Sequence, residues 1–136
     1  MRLNRRILIS SVSAATLHLF MGAAWAAQPA VEIIAFAHPP VQSALKPLRD
    51  WLASQGKRTR VVEIDMETPA GEKRATAVGV TGHVPILILV DGKYAFARKD
   101  GASIELKSFP AAPNMKGSWS IDDAKAAISA AMSAVQ

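Results

Sequence analysis

Two histidines, each a short step ahead of a proline, are the side chains best suited to chemistry: His38 in Ala37-His38-Pro39-Pro40-Val41 and His83 in His83-Val84-Pro85. An imidazole changes charge near neutral pH, relays protons and ligates transition metals. Copper or zinc is therefore one chemistry open to the pair. A structural zinc centre takes four protein ligands and a catalytic one three, so His38 and His83 would need a carboxylate or a methionine to complete a site. The competing reading is two partly exposed histidines at loop ends. Catalysis by histidine also needs a nucleophile or an oriented acid within reach, and the sequence offers no such partner.

Other candidate groups are better explained by structure. Glu63 and Asp65 alternate along the open side of a strand-like run, and Asp122 and Asp123 stand where a helix begins. Asp91-Gly92 and Asp100-Gly101 are turn signals rather than phosphate cradles. Trp51 falls on a helix flank and Trp119 just ahead of a helix cap, both packing positions. The chain contains no cysteine, so disulfides and thiolate chemistry are excluded.

The elements that must hold the two histidines follow from periodicity. Val31 to Ala37 is a nearly continuous apolar run, the pattern of a strand covered on both faces. Beyond the two prolines, Val41, Ala44, Leu45, Leu48 and Leu52 recur at helical spacing, which predicts a helix of roughly 15 residues ending at Gly56. Pro47 falls inside it and removes one backbone hydrogen bond. Arg60 to Met66 alternates as a strand. Thr68-Pro69 is a helix cap followed by proline at the first helical position, opening a short helix over 70–78.

Val84 to Val90 is the most apolar stretch that follows, and Asp91-Gly92 turns it into Tyr94–Arg98. A second turn precedes Ser103–Phe109, so a three-stranded antiparallel meander is expected. The loop from Phe109 to Gly117 is apolar and stiffened by prolines, a lid over a sheet edge or helix end, or a docking surface. Ser120 to Asp123 then reads as a capping box with Trp119 as its hydrophobic staple, opening a terminal helix whose apolar face carries Ile121, Ala124, Ile128 and Met132.

Residues 1–26 have the grammar of a signal peptide: Arg2, Arg5 and Arg6 precede an apolar stretch that closes on Ala24-Trp25-Ala26. Cleavage before Ala27 is expected, through either the general or the twin-arginine route. This leaves one domain over 27–136, with no membrane span once the leader is gone, in the periplasm or outside the cell. An uncleaved leader would instead anchor the chain, although Ser10, Ser11, Ser13 and His18 weaken such a span. Three of the sixteen Lys and Arg residues leave with the leader while all eleven acidic residues stay, which lowers the excess charge from +5 to +2. The remaining cations are scattered, with no aromatic-studded basic stripe, so nucleic-acid binding is not expected. A chain of this size buries about two-thirds of its surface, enough to stand without disulfides.

The order is β-α-β-α-β-β, an extra antiparallel edge strand, then α: an α/β chain with a mixed sheet. The strand Ile33-Ile34-Ala35-Phe36 entering a proline knot, Pro47 within the first helix, and Val84-Pro85 opening the third strand before Asp91-Gly92-Lys93 together resemble the thioredoxin-like fold over most of residues 27–136. The resemblance implies a cis Val84–Pro85 bond facing the start of the first helix, with His38 and His83 on one cleft. Redox members carry Cys-X-X-Cys where this chain has His38-Pro39-Pro40-Val41-Gln42, so disulfide exchange is not expected, nor any enzymatic activity. Peroxidase and glutathione-transferase chemistry of the same fold are likewise unsupported. The expected site is a cleft formed by His38, Pro39, Pro40, Val41, His83, Val84 and Pro85 that binds a peptide or protein partner without a cofactor. The alternative is copper or zinc held by His38 and His83.

Overall fold

Strand β1 (Ala30–Ala35) lies between β2 (Arg60–Asp65), to which it is parallel, and β3 (Ile86–Val90), to which it is antiparallel. The computed structural model describes residues 28–135, so the expected signal peptide lies outside the described residues. Helices α1 (Pro39–Gln55), α2 (Pro69–Ala77) and α3 (Ile121–Ala134) accompany this mixed sheet. Strands β4 (Ala95–Ala97) and β5 (Ser103–Glu105) form a second, two-stranded antiparallel sheet. The architecture is mixed α/β.

The central strands are apolar because both faces are covered. Val31, Ile33, Ile34 and Ala35 of β1 and all five residues of β3 are buried, the pattern expected of strands inside a layered α/β sheet. Glu32 is the one charge in β1, and Arg74 of α2 meets it with two hydrogen bonds of 2.8 and 2.6 Å. Such a fork-to-carboxylate pair compensates a half-buried charge and ties α2 to the sheet.

Local signals set the helix ends. Val41, Leu45, Leu48 and Leu52 bury one stripe of α1, and the helix stops at Gly56, whose φ of +55° is open to glycine. Thr68 caps α2 by accepting from the Gly71 N–H at 3.2 Å. At α3 the expected capping box is present: Ser120 Oγ accepts from the Asp123 N–H while the Asp123 carboxylate accepts from the Ser120 N–H. Trp119 is fully buried and shares a core with Ala124, Ile128 and Met132.

The structure corrects two expectations. The meander β3-β4-β5 does not form as a regular sheet. The chain reverses at Asp91-Gly92, both with positive φ, and closes a two-residue turn through paired bonds between Val90 and Lys93. β4 then peels away, and the stretch after β5 returns against β3. Ile88 donates to the Leu106 carbonyl at 2.9 Å and Ser108 to the Ile86 carbonyl at 2.8 Å. The buried Leu106 gains by lying on β3, whereas Ala95 and Ala97 have little to bury.

The Val84–Pro85 bond, expected to be cis, is trans; no peptide bond among the described residues is cis. The trans form is the default for an X–Pro bond by about 0.5–1 kcal/mol. The change of direction into β3 is made earlier in the chain, by Gly82 at φ +87° and a bond of 3.1 Å from the Val84 N–H to the Gly82 carbonyl.

Candidate functional site

Phe36, the first residue beyond β1, organises the region. Its N–H donates to the Pro85 carbonyl at 3.0 Å, and its own carbonyl accepts from Gln42 Nε2 at 2.7 Å. The end of β1 is therefore tied to the start of β3 on one side and to α1 on the other. Gln42 is held in turn by Arg49, which donates to Gln42 Oε1 at 2.8 Å and is ion-paired with Glu63 of β2.

Both histidines pack against the Phe36 ring. The His38 ring stands edge-on to it with centroids 5.7 Å apart at 72°, and the His83 ring is tilted by 43° with centroids 4.6 Å apart. Both separations fall in the range of favourable aromatic pairs. The structure thus brings both histidines that the sequence singled out against one shared aromatic ring. Both histidines and both prolines 39 and 40 are exposed, and Val84 and Pro85 are half-buried. Val41 differs from expectation: its place on the apolar stripe of α1 points it into the core, away from the rim.

His38 is the N-cap residue of α1, extended at φ −70° and ψ 142°, and its side chain makes no capping bond. Its Nε2 lies 3.4 Å from Glu67 Oε2 in the turn after β2, with both side chains more than half exposed. A contact so exposed stabilises little. A helix normally presents several free N–H groups at its start, which suits an anion. Here Pro39 and Pro40 have none and the Gln42 N–H is bonded to the His38 carbonyl at 3.1 Å, leaving Val41 as the free donor of the first turn. The helix start is stripped of the feature that would hold an oxyanion or a thiolate.

For copper or zinc the donor set is short. Among the described residues no three His, Cys, Asp or Glu side chains gather closely enough to hold a metal ion. Each imidazole packs against the Phe36 ring, and Glu67 is the carboxylate beside His38.

A concavity of about 730 Å³ lies elsewhere, between the β4–β5 hairpin and the alanine-rich face of α3. Arg98 spans it to Asp123 with two bonds of 2.8 and 2.6 Å. These bonds, helped by Ser120, hold the Asp123 carboxyl down at about 2 against the opposing effect of burial. Arg98 and Asp123 thereby tie the hairpin to the helix.

The sequence reading did not identify Phe36 or Glu67 as members of the site. The position of Phe36, two residues before His38 at the end of an apolar strand, was an available signal. Glu67 comes close only through the fold. Among the described residues no helix is long and apolar enough to cross a membrane. No family model, no curated protein and no solved structure matches this chain.

Proposed function

We propose that the chain is an exported, non-redox member of the thioredoxin-like fold that binds a peptide or protein partner at the rim formed by His38, Pro39, Pro40, His83, Val84 and Pro85. The observation that carries this reading is the aromatic cluster: two exposed imidazoles packed against the one Phe36 ring, at the junction of β1, α1 and the entry to β3. The order β2-β1-β3, parallel then antiparallel, with α1 leaving directly from the His38-Pro39-Pro40 knot, is compatible with that fold. A rim of stiff prolines and flat rings loses little conformational freedom on binding. No cysteine is present, so a cleft of this kind has no thiol for disulfide exchange and binding is the role left to it.

The test is site-specific photocrosslinking from position 38 or 83 in a cell that exports the protein. Capture of one discrete partner from both positions, lost when Phe36 is replaced by Leu, supports the reading. Absence of any specific adduct from either position would overturn it.

A further inference from the structure

β2 is an outer strand of its sheet, and no described strand covers its far edge. The Arg60 N–H donates inward to the Pro29 carbonyl at 3.0 Å, and the Met66 N–H to the Ala35 carbonyl at 2.9 Å. With the two-residue period of a strand, the N–H and C=O groups of Val61 and Glu63 therefore point away from β1, while the Asp65 carbonyl beyond them is already taken by the Thr68 N–H at 3.2 Å and the Thr68 hydroxyl at 2.7 Å. Such a row is a template for another strand unless something blocks it. Val61 is 42% exposed, one of two large apolar side chains so exposed among the described residues. It shares a groove of about 470 Å³ beside the edge with Arg49, Leu52 and Thr59. Thr59 is only 6% exposed, and its hydroxyl has no hydrogen-bond partner.

The charges along this edge are sorted by sign. Lys57, Arg58 and Arg60 stand at its entry, and Glu63, Asp65 and Glu67 at its exit. None of the three cations has an acidic partner within 4 Å among the described residues. A parallel second strand of the same sequence would set like charges together. An antiparallel one sets the basic end of each strand against the acidic end of the other, twice over, as a two-fold axis requires. A foreign peptide would need this same split of charge, which a second copy has by construction.

We infer that the free edge of β2 pairs antiparallel with β2 of a second copy of this chain. Residues with outward backbone groups must face each other, and setting Val61 opposite Glu63 of the partner subunit meets that condition. Lys57 and Glu67 lie beyond the two ends of β2, in the turns before and after it, so their charges act at the ends of the strand pair rather than in its register. The Val61 side chains become diagonal neighbours across the axis, within reach of one another. One strand pair is a small interface, so association in the range of weak, transient complexes is expected.

Sedimentation velocity of the tag-free chain over a hundredfold concentration range tests this. A monomer–dimer equilibrium is expected at low salt, shifted toward monomer by several-fold in about 0.5 M salt because the charge pairs are screened. Val61→Pro removes an outward N–H that β1 does not use, a substitution edge strands tolerate, and should abolish the dimer while leaving the circular dichroism unchanged. The double variant Lys57→Glu, Arg60→Glu should abolish it independently. In the dimer, the amide protons of Val61 and Glu63 should exchange more slowly as concentration rises. A monomer at every concentration, or a dimer that survives both variants, would overturn the self-pairing.

Discussion

The His83 ring lies 4.6 Å from the Phe36 ring, tilted by 43°, although the two residues come from different strands' ends. Phe36 is 7% exposed, so it serves the core and at the same time forms the floor on which both imidazoles rest. Replacing it by Leu keeps most of the apolar volume and should cost under about 1.5 kcal/mol, against about 3–5 kcal/mol for Ala. The Leu variant should stay folded while the ring-proton resonances of His38 and His83 both move, since one ring current acts on both. Unmoved resonances in a folded Phe36→Leu chain would show that the stacking does not persist in solution.

Gly71 in α2 approaches the turn after β2 more closely than any side chain would permit. A Cβ there would lie 2.2 Å from the Asp65 carbonyl oxygen and 2.8 Å from the Met66 Cα. Both are backbone atoms, fixed by the Thr68 and Met66 bonds around them. Alanine normally gains about 1 kcal/mol over glycine inside a helix, but overpacking of this kind costs about 1–3 kcal/mol. Gly71→Ala should therefore destabilise, read as a lower midpoint in urea unfolding, despite its better helix propensity.

The bonds from Arg98, with those from Ser120, make stability depend on acid. The Asp123 carboxyl is held at about 2, below its ordinary 3.8, so folding favours the ionised form. That contribution is complete above about pH 4 and is lost as the pH falls through about 2. Thermal unfolding followed from pH 6 to pH 2 should show a decline concentrated in this window. Asp123→Asn should be less stable at pH 6, by about 1–2 kcal/mol for a lost cap and charged bonds, and should show a flatter profile between pH 4 and pH 2.

Local features of the fold could be read from the sequence, because each depends on neighbours a few residues away. Thr68-Pro69, Asp91-Gly92 and the Ser120–Asp123 box all act within one turn, and the structure places a helix start, a tight turn and a capping box at these sites. The apolar stripe of α1 likewise identified Leu45, Leu48 and Leu52 as core. Partners distant in sequence were not legible. Nothing local told that Leu106 rather than β4 would lie on β3, or that Gly71 would touch Asp65. The cis expectation for Pro85 came from resemblance alone, and the Gly82 turn made it unnecessary. At the site, the two histidines stood out by type and setting, whereas the role of Phe36 as the ring both contact depends on three elements meeting.

Trp119 joins the loop after β5 to the start of α3. It is fully buried, and its indole N–H donates to the Lys107 carbonyl at 2.9 Å and the Ser108 carbonyl at 3.2 Å. Ser108 has φ of +67°, a conformation that costs an L-residue roughly 1–2 kcal/mol and persists because its N–H and carbonyl are bonded on both sides. Trp119→Phe keeps an aromatic ring but leaves two carbonyls without their donor, so a loss of about 1–3 kcal/mol is expected. Ser108→Gly relieves the strained φ but adds about 0.5–1 kcal/mol of unfolded-state entropy, so it should be neutral or mildly stabilising. Urea unfolding of the two variants should therefore move in different directions, or only the first should move; equal destabilisation would mean that the Ser108 side chain, rather than its backbone, secures the loop.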